Sequence, residues 1–114
     1  MPDTSPATHP SPLFTVASAP DGARWRLRLR GEFDVAGLEA AQRALHGALG
    51  ERCTGLVVDL SDLTFMDSTG LRFVLCAQRL CSAADRPFAV RQGGPAIRRL
   101  FELTRLDTVV PFED

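Results

Sequence analysis

The segment from Gly55 to Leu75, which reads GLVVDLSDLTFMDSTGLRFVL, constrains the fold more than any other part of the chain. Its apolar start predicts a buried strand over residues 56–60. A polar loop is expected next, and Asp67 and Ser68 then stand where a helix begins. A strand that leads through a loop into a helix is the repeating unit of an α/β fold.

Short patterns of the same two kinds predict the remaining elements. Strands are expected at residues 13–18, 24–30 and 88–91 and around residues 109–112, with a turn at residues 20–22, and helices at residues 35–49, after residue 68 and from residue 95. Parallel strands joined by helices through short loops imply right-handed crossovers. We therefore expect a single α/β domain at residues 13–114, behind a disordered tail at residues 1–12. Its sheet should be mixed and mostly parallel, with four to five strands, an N-terminal antiparallel hairpin and helices mainly on one face.

A regular alternation of arginine and apolar residues marks the clearest strand. Arginine occupies every second position and the residues between are apolar: Arg24, Trp25, Arg26, Leu27, Arg28, Leu29, Arg30. The pattern predicts one buried and one polar face. The polar face is either a docking surface for phosphates or an acidic partner, or simply a solvated face, and the other strands favour the second interpretation. Asp59 is expected on the corresponding face of its own strand, where it can pair with arginines of neighbouring strands.

The helix after Ser68 has a broader apolar face than a surface helix needs. Its inward positions fall on two adjoining lines: Leu71, Val74, Leu75 and Gln78 on one, and Phe73, Ala77 and Leu80 on the other. Such a face is either partly exposed for a partner or buried beneath two neighbouring elements. We favour the buried interpretation.

The balance of charges bears on the class of partner. The 114-residue chain has 13 basic residues, all arginine, and 14 acidic ones. This gives no electrostatic case for nucleic acid or for direct membrane contact. The three cysteines, Cys53, Cys76 and Cys81, are an odd number with no paired spacing and are interpreted as reduced thiols. We therefore expect a soluble, cytoplasmic protein with a protein partner.

The residue types that most catalytic and metal sites need are sparse. The two histidines are His9, in the predicted tail, and His46, on the expected solvent side of a helix, so a serine hydrolase is not expected. The histidines and cysteines lack the short paired spacing of a metal site. Gly93, Gly94 and Pro95 form too short a glycine loop, without lysine, to cradle a phosphate. We expect no metal, no cofactor and no enzymatic activity.

Ser68 is the candidate functional residue. It places a hydroxyl at a helix N-terminus, where backbone amides and the positive end of the helix dipole accommodate a phosphate. The hypothesis is a phosphorylatable switch. The alternative is that Asp67 or Ser68 serves only as the N-cap of the helix. Asp34 is likewise a candidate N-cap for the helix that begins near Val35.

Three segments carry a resemblance to a known family. The run from Asp59 to Leu71 resembles the signature of STAS domains, the anti-sigma factor antagonist family. Residues 31–34, GEFD, are similar to its early acidic turn, and residues 95–104, PAIRRLFELT, to its last helix, so the resemblance covers residues 13–112. In antagonists of this family a partner kinase phosphorylates the serine directly after the motif aspartate. The matching residue here is Ser68.

The resemblance also implies a partner-binding surface. It places the early acidic turn beside the motif, and the implied contact residues are Asp34, Asp67, Thr69, Gly70 and Leu71. One departure is Arg105, which follows Thr104 where many relatives have glycine. That difference is expected to bear on partner choice and leaves the phosphate acceptor in place.

The function that the resemblance implies is regulation of sigma-dependent transcription. The unphosphorylated protein would bind an anti-sigma factor that is also an ATP-dependent serine kinase. Phosphorylation of Ser68 would release it, and a phosphoprotein phosphatase would restore binding. One alternative is a STAS-domain accessory subunit of a lipid ABC-type membrane transporter, without a phospho-switch. Another is direct nucleotide binding near Ser68.

Overall fold

The structure is a computed structural model that describes residues 13–50 and 54–113. The expected tail at residues 1–12 and Cys53 lie outside the described residues. The elements, in chain order, are β1 (Phe14–Asp21), β2 (Arg24–Phe33), a short 3-10 helix (Val35–Gly37), α1 (Leu38–Gly50), β3 (Leu56–Met66), α2 (Ser68–Ala83), β4 (Phe88–Arg91), α3 (Pro95–Leu103), a second 3-10 helix (Leu106–Thr108) and β5 (Phe112–Glu113). None of the described helices has the length and hydropathy to span a membrane.

All five strands belong to one sheet, in the order β1-β2-β3-β4-β5. β1 and β2 form an antiparallel hairpin, and every other neighbouring pair is parallel. The mixed, mostly parallel α/β sheet expected from the sequence is therefore confirmed. Because each parallel connection moves one strand along in the same direction, right-handed crossovers place the helices on one face.

The three helices cover one face of the sheet with a shared apolar core. The core positions of β2 and β3 alternate as expected and meet the buried stripes of the helices: Leu27, Leu29, Leu56, Val58, Leu60, Ala41, Leu45, Val74, Ala77, Ile97 and Phe101. Most of the broad face of α2 is thus core. Cys76 is exposed and Cys81 is buried, so the two thiols of α2 do not face each other.

The turn of the first hairpin begins two residues later than expected. Pro20 and Asp21 lie in β1, where they pair with Trp25 and Arg24, and the turn is Gly22–Ala23. A two-residue hairpin loop requires a positive φ angle, and Gly22 supplies it at +65°. Pro20 is tolerated in β1 because this is an edge strand.

β3 is longer than the sequence indicated, and the expected polar loop after Leu60 is wrong. The strand continues to Met66 through two register shifts against β2. At the first shift, the Asp59 carboxylate accepts hydrogen bonds from the backbone N of Ser61 at 2.9 Å and from its hydroxyl at 2.7 Å. These shifts add residues to β3, which disturbs the alternation of apolar and polar positions.

The C-terminal segment also differs in part from expectation. Val109 and Val110, expected in the last strand, belong to the turn after the second 3-10 helix, and β5 holds two residues. Arg105 has a φ angle of +61°, a left-handed conformation that glycine adopts at no steric cost. This geometry suits the glycine that the family resemblance implies at this position.

The face of the sheet without helices carries a network of ion pairs. Asp59 is only 1% exposed, and its carboxylate lies 3.8 Å from Arg26 and 3.9 Å from Arg91. Arg24 pairs with Glu113 at 2.9 Å. Val57, which pairs with Arg26 on this face, is completely buried, as expected where the apolar stems of arginines lie over a sheet. The arginine face is therefore partly buried around Asp59 and exposed further along β2.

The Arg24–Glu113 pair predicts a component of acid sensitivity. The hydrogen bond from Arg24 lowers the pKa of Glu113 below its ordinary value of 4.5. The contribution of the pair to stability is therefore complete above about pH 4.5 and is lost as the pH falls through the lower pKa of the folded state. Between pH 6 and pH 3, the free energy of unfolding should fall more in the wild type than in Glu113→Gln, measured by urea denaturation. Glu102→Gln, an exposed control, should behave as the wild type does; equal acid sensitivity of all three would contradict the prediction.

Two glycines on helices should respond oppositely to alanine. A methyl group at Gly70 would come within 2.5 Å of Met66 Sδ and 3.3 Å of the Phe33 ring, whereas one at Gly47 would meet nothing within 4 Å. Overpacking should cost Gly70→Ala about 1–3 kcal/mol of unfolding free energy. Gly47→Ala should gain about 0.5–1 kcal/mol from helix propensity. Urea denaturation of both variants tests the two predictions. A gain in unfolding free energy in both variants would contradict the first, because it would show that Met66 moves aside at little cost.

Candidate functional site

Two parallel strands end together at the site. Phe33, the last residue of β2, pairs with Met66, the last residue of β3, and both side chains are buried. The backbone N of Asp67 donates to the carbonyl of Phe33 at 3.4 Å. Each strand is followed at once by an aspartate, so Asp34 and Asp67 lie next to each other at the carboxyl edge of the sheet.

Both aspartates cap helical segments. The Asp34 carboxylate accepts a hydrogen bond from the backbone N of Ala36 at 2.9 Å, and the Asp67 carboxylate accepts one from Thr69 N at 2.8 Å. A carboxylate at this position satisfies an otherwise unpaired amide and interacts favourably with the helix dipole. Asp34 therefore is an N-cap and also lies beside the motif, and its contact with a partner remains a prediction.

Ser68 is exposed at the first position of α2. Asp67 provides the cap, and no residue of the described ranges forms a hydrogen bond with the Ser68 hydroxyl. The alternative in which Ser68 itself caps the helix is thereby answered in favour of Asp67. The hydroxyl is accessible to a reagent or a partner enzyme, and modification would leave the cap intact.

The three motif residues after Ser68 are less exposed than Ser68 itself. Thr69 is half-buried, while Gly70 and Leu71 are buried. Gly70 lies against Met66 and Phe33, where a larger residue would collide with the ends of both strands. Of these residues, a partner could therefore contact Ser68 and the exposed part of Thr69 most directly. The predicted contact roles of Gly70 and Leu71 remain predictions, and their burial favours a shaping role.

Two exposed apolar residues beside the site were not identified from the sequence. Val35, which follows Asp34, is 74% exposed, and Phe65, which pairs with Glu32 just before the strand ends, is 47% exposed. Val35 could have been identified from the sequence, because it is an apolar residue directly after an aspartate that was already a candidate N-cap. Phe65 could be found only once β3 was known to extend to Met66, because its face depends on that register.

The described residues include one histidine and no cluster of side chains that could bind a metal ion. Ser68 has no histidine near it in the sequence, and His46 is exposed on α1. Across residues 13–50 and 54–113, no group of His, Cys, Asp and Glu side chains could hold a metal ion. A cleft of about 780 Å³ between α3 and β5 is separate, since its lining includes Arg91, Arg98 and Phe112 and none of the motif residues.

Comparison with known proteins agrees with this geometry. A family model described as "Mlab, STAS domain" matches residues 16–111. An anti-sigma F factor antagonist from Paenibacillus polymyxa is 30% identical over 89 residues, which are 77% of this chain and 76% of the relative. An anti-sigma factor antagonist from Mycobacterium paratuberculosis has a solved structure that matches with a TM-score of 0.80 and 27% identity, over 90% of this chain and 87% of that one.

A further solved structure shares the fold at lower identity. The anti-sigma factor antagonist SpoIIAA, in its unphosphorylated form, matches with a TM-score of 0.71 and 20% identity, over 88% of this chain and 89% of that one. The matched family model spans both capped strand ends and α2. The chain belongs to the STAS domain family, in which its relatives include anti-sigma factor antagonists.

Proposed function

We propose that this chain is an anti-sigma factor antagonist, a cytoplasmic binding protein without enzymatic activity, switched by phosphorylation of Ser68. Its unphosphorylated form binds an anti-sigma factor that is also an ATP-dependent serine kinase, which frees the sigma factor for transcription. The observation that carries the proposal is the exposed Ser68 hydroxyl next to a helix cap that Asp67 already provides. The relatives named as anti-sigma factor antagonists support the same role.

The partner supplies the chemistry of the switch. The Ser68 oxygen forms a bond to the γ-phosphorus of ATP, the bond to ADP breaks, and the hydroxyl proton passes to a base of the kinase. Magnesium and the stabilisation of the transferred phosphoryl group also come from the kinase. A separate phosphatase hydrolyses the phosphoserine and restores the binding form. This chain acts as substrate in both steps.

The charge that the phosphate adds is large enough to control binding. It brings about 1.5 to 2 negative charges to a surface that already holds Asp34 and Asp67. A charge left without a good partner in a closed interface costs on the order of 2 to 5 kcal/mol, or about 30-fold to several thousand-fold in affinity. Near-complete reversal of a two-state population needs about 5.5 kcal/mol. Phosphorylation therefore supplies from about a third to nearly all of the switch, and partner concentration supplies the rest.

The fold tolerates this modification without rearrangement. Ser68 is exposed, and the first turn of α2 presents backbone amides and a positive dipole end to the added phosphate. The core residues beneath it, Gly70 and Leu71, do not need to move. The switch then acts through the charge of the surface, with the same backbone in both states.

Phosphate transfer to Ser68 is the first prediction of this proposal. After incubation with ATP and each candidate anti-sigma kinase of the same genome, intact mass spectrometry should show one added phosphate on the wild type and none on Ser68→Ala. Thr69→Ala is the matched control, because it removes the neighbouring hydroxyl and should still accept a phosphate. Absence of transfer with every candidate, together with co-purification with a transporter ATPase, would refute the antagonist function and support the accessory-subunit alternative.

The exposed apolar residues beside Ser68 should contribute to capture of the anti-sigma factor. Val35→Ser removes an apolar contact without disturbing the core, and loss of the burial of a valine should weaken binding about 10-fold. Leu103→Ser is the control, since Leu103 is similarly exposed, at 69%, on α3. Isothermal titration with the unphosphorylated protein checks the pair. An affinity unchanged by Val35→Ser, or lowered equally by Leu103→Ser, would place the interface elsewhere.

A further inference from the structure

An arginine lies one helical turn after the proposed phosphorylation site. Arg72 follows Ser68 by four residues on α2, and both are exposed. Residues at this spacing are neighbours on the helix surface, with about 5–6 Å between their Cβ atoms. Within the described part of the chain, Arg72 forms no ion pair. Its guanidinium is therefore available to a new anion at Ser68.

The direction of helical side chains brings Arg72 toward Ser68. In an α-helix, long side chains lean toward the N-terminus and cover the turn that precedes their own Cα. For Arg72 that turn begins at Ser68. Arg79 is on the same exposed side of α2, but it lies eleven residues from Ser68, about 16 Å along the axis.

The same spacing already forms an ion pair elsewhere in this molecule. On α1, the carboxylate of Glu39 lies 3.2 Å from the guanidinium of Arg43, four residues later, although both side chains are highly exposed. An acidic group four residues before a basic one is the favourable order on a helix. Phosphoserine at position 68 with Arg72 would reproduce that order with a larger negative charge.

The unmodified protein gives Arg72 no comparable role. The N-terminal end of a helix carries partial positive charge, so a cation just after the first turn gains nothing from the helix dipole. A phosphate on Ser68 makes the local charge negative, so that a cation at position 72 becomes favourable. Guanidinium groups also match phosphate oxygens in two-point hydrogen bonding.

We propose that Arg72 is the positioning residue for the phosphate on Ser68, which it pairs with and holds against the first turn of α2. The inference rests on the proposed function, in which Ser68 is phosphorylated. Its consequence is that part of the added charge is neutralised within the protein. A phosphatase must displace Arg72 to reach the phosphate, so the residue also regulates how long the released state lasts.

The test installs phosphoserine at position 68 during translation, by suppression of an amber codon, and needs no kinase. Phosphorus NMR then follows the second ionisation of the phosphate, whose pKa is ordinarily about 6. A guanidinium paired with the phosphate, with about 4 Å between the charges, should lower this pKa by roughly one unit. The midpoint should therefore be higher by that amount in Arg72→Gln than in the wild-type background. Arg79→Gln, which removes the same charge further along α2, should titrate as the wild type does.

Three outcomes decide the assignment. Arg72→Lys, which keeps a cation at the same position, should retain most of the difference, and this supports an ion pair over an effect on helix structure. A midpoint unchanged by Arg72→Gln, or displaced equally by Arg79→Gln, overturns the proposal. Failure of every kinase to modify Ser68 would refute the proposed switch separately, because the titration does not depend on enzymatic phosphorylation.

Discussion

The parallel pairing of β2 with β3 is the constraint on which the site depends. Because the two strands end at the same level, with Phe33 beside Met66, the residues that follow them are neighbours in space. Those residues are aspartates, and each caps the helical segment that leaves its strand. The pairing of β2 with β3 thus determines where both helical segments begin. Ser68 follows the Asp67 cap and is exposed to solvent.

The two faces of the sheet are protected by different physical means. On one face, three helices bury apolar side chains. On the other, guanidinium groups surround Asp59, which is buried with hydrogen bonds from Ser61 and ion pairs to Arg26 and Arg91. Truncation of an arginine on that face would remove both a charge and the apolar stem that covers the sheet. The proposed interaction site lies at the carboxyl edge of the sheet, beside the exposed side chains of Val35 and Phe65.

Local patterns in the sequence predicted much of this fold, and long-range geometry explains the differences. The alternation through β2 and the proline that starts α3 are local signals, and both elements were predicted correctly. The extension of β3 past Leu60 was missed because its register shifts break the alternation. At the site, the start of α2 was predicted, whereas the choice of Asp67 over Ser68 as the cap depends on backbone geometry. The exposure of Phe65 depends on register and could not be inferred from local sequence.

The connection between β3 and α2 consists of one residue, Asp67. Because the connection is so short, a residue inserted between Met66 and Ser68 would separate the cap from the end of the strand, whereas an extra residue within β3 can be taken up as a bulge, as at the two register shifts against β2. Residues 84–87, which join α2 to β4, do not determine the position of Ser68. Over evolutionary time, the chain can therefore accept changes of length after α2 more readily than at the junction of β3 and α2, which presents the proposed phosphorylation site.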